Sequence, residues 1–189
     1  FLQKLRQLMA STPPGVMLTA DLCAAYQAGV EKFSQIPGVR RLTGGQPQEN
    51  LAGTRALAAL FTTDAPVFLQ QDTLLEEIFG PATLVVCCSS QPEMLAAAAK
   101  LEGQLTATIH ATVEELLAAR DLVSLLETKV GRLIFNGFPT GVEVCHAMVH
   151  GGPWPATSDG RSTSVGTRAI LRFVRPICYQ NFPDAALPE

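Results

Sequence analysis

The chain has 189 residues and a formal net charge of −3 at pH 7. Hydrophobic residues make up 47% of it and charged residues only 16%, whereas an ordinary soluble domain carries about 25% charged residues. This balance argues against a protein that binds nucleic acid through a basic face, and no apolar run approaches the ~20 residues needed to cross a membrane. We therefore expect neither a nucleic-acid nor a membrane partner, and we expect the surplus apolar surface to lie in an interface.

The cysteines indicate a reducing compartment. There are five of them, an odd number without disulfide-like spacing: Cys23, Cys87, Cys88, Cys145 and Cys178. We predict that they are reduced and that the protein is cytoplasmic. The chain begins at Phe1 rather than Met and lacks the apolar stretch of a signal peptide, so we expect a processed or truncated product.

The first third of the chain predicts two helices and three short strands. Apolar residues at helical spacing predict a helix from Leu2 that ends before Pro13. Thr19 is expected to cap a second helix, whose apolar face is Leu22, Tyr26, Val30 and Phe33. The strands are predicted at VRRLTGG (39–45, ending in a Gly-Gly turn), ALAALFTT (56–63) and PVFL (66–69).

From Ala82 onward, strands and helices alternate. ATLVVCC (82–88) predicts a strand buried on both faces, with Cys87 and Cys88 as small buried hydrophobes. We predict next a helix between Pro92 and Gly103 and the strand LTATIH (105–110). These are followed by a helix from a Thr112/Glu115 capping box to about Leu126 and by a buried strand at 133–136. This order predicts an α/β fold with a mostly parallel sheet and flanking helices.

The amino-acid composition changes in the last quarter of the chain. Residues 137–164 are rich in Gly, Pro, Ser and Thr, and a loop of that length is usually functional. Ser164 is expected to cap a last helix with the apolar face Ala169, Ile170, Phe173 and Val174. Residues 177–181 predict an exposed final strand that invites pairing with another chain.

One short motif carries chemistry. Glu77-Ile78-Phe79-Gly80-Pro81 resembles the Glu-x-Phe-Gly-Pro motif of the NAD(P)-dependent aldehyde dehydrogenases. The resemblance implies that Glu77 accepts hydrogen bonds from the nicotinamide ribose hydroxyls and that Phe79 packs beside the nicotinamide. A carboxylate suits two vicinal hydroxyls, and an aromatic face orients a ligand at little entropic cost. On these residues alone, a solvated acidic turn that caps a strand is the alternative.

Two longer stretches resemble one particular branch of this family. NGFPTGV (136–142) and HGGPWPATS (150–158) resemble the branch of this family that oxidises 2,5-dioxovalerate, or α-ketoglutarate semialdehyde, to the carboxylate with NAD or NADP. The resemblance implies a small-molecule aldehyde pocket lined by Phe138, Thr140, His150 and Trp154. The alternative for residues 150–154 is a tight turn with an aromatic plug. Arg161 and Arg168 either meet a substrate carboxylate or lie on a solvated surface.

The resemblance covers roughly residues 40–182 and implies a C-terminal fragment. In the family, the nucleophile cysteine, the general-base glutamate and the dinucleotide-binding domain all lie far N-terminal to the Glu-x-Phe motif. Cys23 falls inside a helix, and no Gly-rich strand–turn–helix precedes Glu77, so we expect no catalytic residue and an inactive isolated chain. We expect residues 1–175 to form part of the catalytic domain and residues 176–189 an oligomerisation strand and tail of a homo-oligomer.

Two other interpretations stand beside this one. CHAMVH (145–150) places Cys145, His146 and His150 near Asp159, as in a metal site or a Cys–His nucleophile pair. No ordered ligand spacing supports zinc, so we expect no metal. The alternative function is a non-catalytic α/β interaction module that assembles through its C-terminal strand.

Overall fold

The computed structural model describes residues 1–44 and 53–188, and these residues form two compact units, 1–101 and 102–188. Each unit pairs parallel strands and flanks them with helices, which confirms the α/β fold class. Within the described residues, every helix is too short or too polar to cross a membrane.

The first unit contains four helices and five strands among its described residues. In chain order they are α1 (Leu2–Ala10), β1 (Gly15–Val16), α2 (Ala20–Ser34), β2 (Arg40–Thr43), β3 (Arg55–Ala56), β4 (Ala59–Asp64), α3 (Ala65–Gln70), β5 (Ala82–Cys87) and α4 (Gln91–Lys100), with a 3₁₀ turn at Asp72–Leu75. One sheet has the order β2-β4-β5, in which β2 runs antiparallel and β5 parallel to β4. β1 and β3 form a separate antiparallel pair.

The core of this unit lies between α2 and β4. The Thr19 hydroxyl accepts a hydrogen bond from the Leu22 N–H at 3.2 Å, as predicted for the cap. Tyr26, Val30 and Phe33 are buried on the predicted face, and Phe33 meets Phe61 of β4 edge to face at 5.7 Å between ring centroids. These contacts fix α2 against the sheet.

One strand prediction in this unit is wrong, and so is the predicted burial of another strand. PVFL lies in the helix α3, and Pro66 occupies the first turn of that helix. A backbone N–H in the first turn has no partner within the helix, so the N–H that proline lacks costs no hydrogen bond. β5 is half-buried rather than buried on both faces, with Cys87 exposed and Cys88 half-buried. The reason is position, because β5 is the outer strand of the described sheet and β4 occupies the centre. The Gly-Gly turn predicted after β2 extends to Gly45, which lies outside the described residues.

The second unit begins with β6 (Gln104–Ile109), followed by α5 (Val113–Ala118), α6 (Arg120–Glu127) and β7 (Val130–Phe135). β6 and β7 pair in parallel from Gln104↔Val130 to Ile109↔Phe135. The capping box is confirmed: Thr112 Oγ1 accepts from the Glu115 N–H at 3.2 Å, and Glu115 Oε2 accepts from the Thr112 N–H at 2.8 Å. The single helix predicted here is divided at Ala119, and β7 is half-buried rather than buried.

The C-terminal predictions also need correction. The last predicted helix is a 3₁₀ turn at Thr167–Arg172, and Ser164 does not cap it, because the N-cap position is Gly166. The Ser164 hydroxyl instead donates to the His150 carbonyl at 3.1 Å. Ile170 and Phe173, part of the predicted apolar face, are exposed. Residues 177–181 form no strand, because a strand needs a neighbouring ladder and the described chain pairs none with them.

Candidate cofactor and substrate sites

The two adjacent acids before β5 differ in what they contact. The Glu76 carboxylate forms an ion pair with the Lys32 ammonium. Glu77 is exposed and has no hydrogen bond or ion pair with any residue that the structure describes. Within the described residues, therefore, the Glu76 carboxylate has a partner, whereas that of Glu77 has none that would compete with a ligand.

The next two residues point in opposite directions. Ile78 packs so closely on α2 that a Cβ added to Gly29 would lie 3.1 Å from Ile78 Cγ2. Phe79 is 63% exposed. Ile78 thus anchors the segment in the first unit, whereas its neighbours Glu77 and Phe79 are both exposed to solvent.

Tyr26 holds the turn that follows. Its hydroxyl donates to the Leu57 carbonyl at 2.7 Å and lies 3.2 Å from the Pro81 carbonyl oxygen. A Cβ at Gly80 would lie 2.4 Å from Tyr26 Cδ2, so only glycine fits against the ring. Burial raises the pKa of Tyr26, which keeps its hydroxyl protonated as a donor.

The helical pattern correctly predicted Tyr26 on a buried helix face but did not indicate that it supports the motif. Its hydroxyl partners are 31 and 55 residues away, and no local pattern signals contacts at that separation. The one sequence signal was a tyrosine on a buried helix face, because a buried tyrosine hydroxyl needs a hydrogen-bond partner.

In the second unit, Phe138 and Thr140 lie beyond the carboxyl ends of β6 and β7. The Asn136 side chain joins these two ends: its Oδ1 accepts from the Ala111 N–H at 3.0 Å, and its Nδ2 donates to the Ala111 carbonyl at 2.8 Å. The rings of His110 and Phe138 lie 5.6 Å apart. Small-molecule sites in open α/β sheets form at this edge. No sequence pattern indicated a role for His110.

His150 and Trp154 belong to a different part of the same unit. A Cβ on Gly131 would lie 1.9 Å from the Gly151 carbonyl oxygen, so residues 150–154 cross the amino end of β7. A six-residue strand is about 17 Å long at ~3.3 Å per residue, and this length separates them from Phe138. Trp154 is 77% exposed, and His150 Nδ1 lies 2.9 Å from Ser164 Oγ. The four predicted pocket residues therefore form two pairs in this structure.

The two arginines singled out in the sequence line an open cleft of about 570 Å³ together with Arg172. The Asp159 carboxylate, on the same cleft, accepts from the Arg161 backbone N–H at 3.0 Å and from its Nε at 3.2 Å. These bonds lower the pKa of Asp159. One of the arginines is thus already engaged by an acid of its own loop.

The two histidine side chains considered as part of a metal or thiol site have other partners. His146 Nδ1 lies 2.8 Å from Thr167 Oγ1, and no hydrogen bond within the described residues joins its ring to Cys145. Across residues 1–44 and 53–188, no three His, Cys, Asp or Glu side chains are grouped closely enough to hold a metal ion.

The best-defined thiol environment disfavours a nucleophile. Burial raises the pKa of Cys88, and the nearby Glu93 and Cys87 add to the effect. A nucleophilic cysteine needs the opposite shift, because the thiolate is the reactive form. Cys23 is buried on the core face of α2, as expected for a structural residue.

No protein-family model matches the sequence. Over 183 residues, however, the chain is 48% identical to the alpha-ketoglutaric semialdehyde dehydrogenase 2 of Azospirillum brasilense, an alignment that covers 97% of this chain and 34% of that protein. The chain spans about a third of the length of the curated relatives that it matches.

Solved structures agree in fold. The Delta-pyrroline-5-carboxylate dehydrogenase of Mycobacterium tuberculosis superimposes with a TM-score of 0.73 at 15% identity, over 99% of this chain and 37% of that one. The 1-pyrroline-5-carboxylate dehydrogenase of Thermus with bound NAD superimposes with a TM-score of 0.56 at 25% identity, over 73% and 25% of the two chains.

Proposed function

We propose that this chain belongs to the aldehyde dehydrogenase family and supplies the nicotinamide-ribose contacts and part of the aldehyde pocket of an enzyme. The reaction is oxidation of an aldehyde to a carboxylate with NAD or NADP, and the substrate is α-ketoglutarate semialdehyde. One observation carries the proposal: Glu77, whose carboxylate has no hydrogen bond or ion pair within the described residues, and the exposed Phe79 both precede a turn that Tyr26 holds.

The two motif residues fit the cofactor by their chemistry. An ionised carboxylate is acceptor-only and matches two ribose hydroxyl donors, and Glu77 has no partner in the described chain to compete with them. The flat Phe79 ring packs beside the nicotinamide with few rotatable bonds to order. The bound dinucleotide supplies the hydride acceptor. Glu77 and Phe79 hold and orient its nicotinamide end.

We assign Phe138 and Thr140 to one side of the aldehyde pocket, and His150 and Trp154, which lie at the other end of β7, to a separate part of it. Phe138 and Thr140 are supported by their position beyond the carboxyl ends of two parallel strands. For His150 and Trp154 the support is the similarity of residues 150–158 to the semialdehyde-oxidising branch.

The catalytic nucleophile and general base are not assigned to this chain, and we propose that it is inactive alone. Cys88 is held as a thiol and Cys23 is buried on the core face of α2. We further propose that residues 1–175 belong to the catalytic domain and residues 176–189 to an oligomerisation arm.

A homo-oligomer formed through that arm is proposed on the exposure of its apolar side chains. Ile177 is 57% exposed and Tyr179 46%, in a segment without a strand partner in the described chain. The same exposure favours the second candidate function, a non-catalytic module that assembles through its tail. We place the protein in the cytoplasm because all five cysteines are unpaired.

The test uses the isolated chain and a hybrid enzyme. In the hybrid, residues 1–189 replace the matching third of the Azospirillum brasilense relative. We expect the isolated chain to produce no reduced nicotinamide from NAD⁺ or NADP⁺ and α-ketoglutarate semialdehyde, and the hybrid to produce it steadily. Turnover by the isolated chain would refute the assignment of the nucleophile elsewhere.

A hybrid that folds, as judged by circular dichroism and a cooperative melt, but is inactive would refute the proposed function. If the full replacement does not fold, a smaller hybrid that exchanges only residues 72–82 tests the cofactor contacts. In that hybrid, loss of NAD⁺ binding would contradict the roles of Glu77 and Phe79. Activity of the hybrid also separates the enzyme from the interaction module, which predicts assembly without turnover.

A further inference from the structure

The side chain of Arg132 in β7 forms hydrogen bonds with the loop that carries Phe138 and Thr140. Arg132 Nη2 donates to the Pro139 carbonyl at 2.8 Å, and Arg132 Nη1 donates to the Gly141 carbonyl at 2.7 Å. These two carbonyls flank Thr140. The planar guanidinium therefore spans the residue at the tip of the loop with two short, charge-assisted hydrogen bonds.

The same guanidinium also reaches the returning part of the chain. Arg132 Nη1 lies 3.6 Å from Met148 Sδ, so one side chain contacts both the outgoing and the returning segment of the loop. Lysine would not reproduce this arrangement, because a single ammonium lacks the rigid fork that addresses two carbonyls at a fixed spacing.

Placing an arginine here has a cost that the loop contacts must offset. Arg132 Nε is buried without a hydrogen-bond partner, and among the described residues no carboxylate forms an ion pair with Arg132. A partly buried, unpaired cation destabilises a strand unless its remaining donors are well satisfied. An apolar side chain would fill the site without this cost but would leave the Pro139 and Gly141 carbonyls without their donors.

We propose that Arg132 is a positioning residue for the aldehyde pocket: its guanidinium fixes the height and direction of the loop from Phe138 to Gly141 above the carboxyl ends of β6 and β7. Asn136 and the ring contact between His110 and Phe138 fix the base of the same loop. Arg132 touches no substrate in this account. It acts through Phe138 and Thr140, and its effect on aldehyde oxidation rests on the proposed function.

The first test needs no enzymatic activity. In the 189-residue chain, Arg132→Met is compared with Arg132→Lys and with Arg120→Met, a matched change of an exposed arginine on α6. Thermolysin cleavage before Val142 and Val144 is followed by mass spectrometry. We expect Arg132→Met to speed cleavage roughly tenfold, because local opening governs proteolysis of a held loop. Arg120→Met should leave the rate unchanged.

The second test uses the hybrid enzyme. We expect Arg132→Met to raise the KM for the aldehyde roughly tenfold while the KM for NAD⁺ changes less than about twofold, because misplacing a pocket wall weakens substrate positioning. Arg132→Lys should recover part of the loss through a single carbonyl contact. A merely structural role predicts instead a lowered melting temperature and equal changes in both KM values.

Each outcome decides one question. If Arg132→Met changes neither the rate of thermolysin cleavage nor the thermal stability, the claim that Arg132 holds the loop from Phe138 to Gly141 is refuted. Faster cleavage with an unchanged aldehyde KM would overturn the positioning role. An inactive but folded parental hybrid would refute the proposed function, and the cleavage test would still decide whether Arg132 holds the loop.

Discussion

Replacing Tyr26 with phenylalanine tests how the cofactor turn is supported. The change keeps the ring that packs on Gly80 and removes only the hydroxyl. The Pro81 carbonyl retains a second donor, the Ala59 N–H at 2.8 Å, whereas the Leu57 carbonyl loses its 2.7 Å hydrogen bond. Loss of the donor to this partly buried carbonyl gives an expected decrease of about 1–2 kcal/mol in the free energy of unfolding.

Urea unfolding of the 189-residue chain, followed by circular dichroism, measures this loss. With a slope of about 2 kcal/mol per molar urea, we expect the midpoint to fall by about 0.5–1 M at unchanged slope. Tyr179→Phe, in the exposed tail, is the matched control and should not move the midpoint. An equal shift in both variants, or none in Tyr26→Phe, would refute the supporting role.

The same variant has a signature in pH. Burial raises the pKa of Tyr26 above its ordinary value near 10, so the folded state holds the proton more tightly than the unfolded state. The stability that this group contributes is fully present below pH ~10 and is lost as pH rises through the raised pKa. We expect the stability difference between the parent chain and Tyr26→Phe to narrow above pH ~10, and a constant difference would contradict burial as the cause.

Two further substitutions test local packing and capping. Gly80→Ala should cost about 1–3 kcal/mol of unfolding free energy, because the new Cβ would lie 2.4 Å from the Tyr26 ring, whereas Gly15→Ala meets nothing within 4 Å. A smaller urea-midpoint shift for Gly80→Ala than for Gly15→Ala would contradict the close approach. Thr112→Ala should cost about 1 kcal/mol by removing the acceptor of the Glu115 N–H, and a midpoint at the parental value would show that the capping box adds nothing.

The sequence predicted those elements whose pattern is local. The Thr19 cap, the Thr112/Glu115 box and the buried face of α2 depend on residues within a few positions of one another, and all three are confirmed. PVFL failed because a four-residue apolar run does not distinguish a strand from a helix, and Pro66 was the signal for a helix start. Residues 177–181 failed because strand formation depends on a neighbour that the pattern cannot supply.

The residues of the candidate sites could be predicted from the sequence, but the tertiary contacts that hold them in place could not. Glu77 and Phe79 could be named from the motif alone. Glu76 is engaged by Lys32, 44 positions away, whereas Glu77 has no partner within the described residues, and no local pattern distinguishes the two acids. The roles of Tyr26 and Arg132 likewise depend on tertiary hydrogen bonds to backbone carbonyls, which no side-chain pattern encodes.

The most direct test of the central claim is the affinity of the hybrid enzyme for NAD⁺ in two neighbouring variants. By calorimetry, we expect Glu77→Gln to weaken NAD⁺ binding roughly tenfold, since a charged acceptor of the ribose hydroxyls becomes neutral. Glu76→Gln, which breaks only the exposed ion pair with Lys32, should leave the affinity within about twofold. Equal affinities for the two variants, or a larger loss in Glu76→Gln, would contradict the assignment of Glu77 to the cofactor.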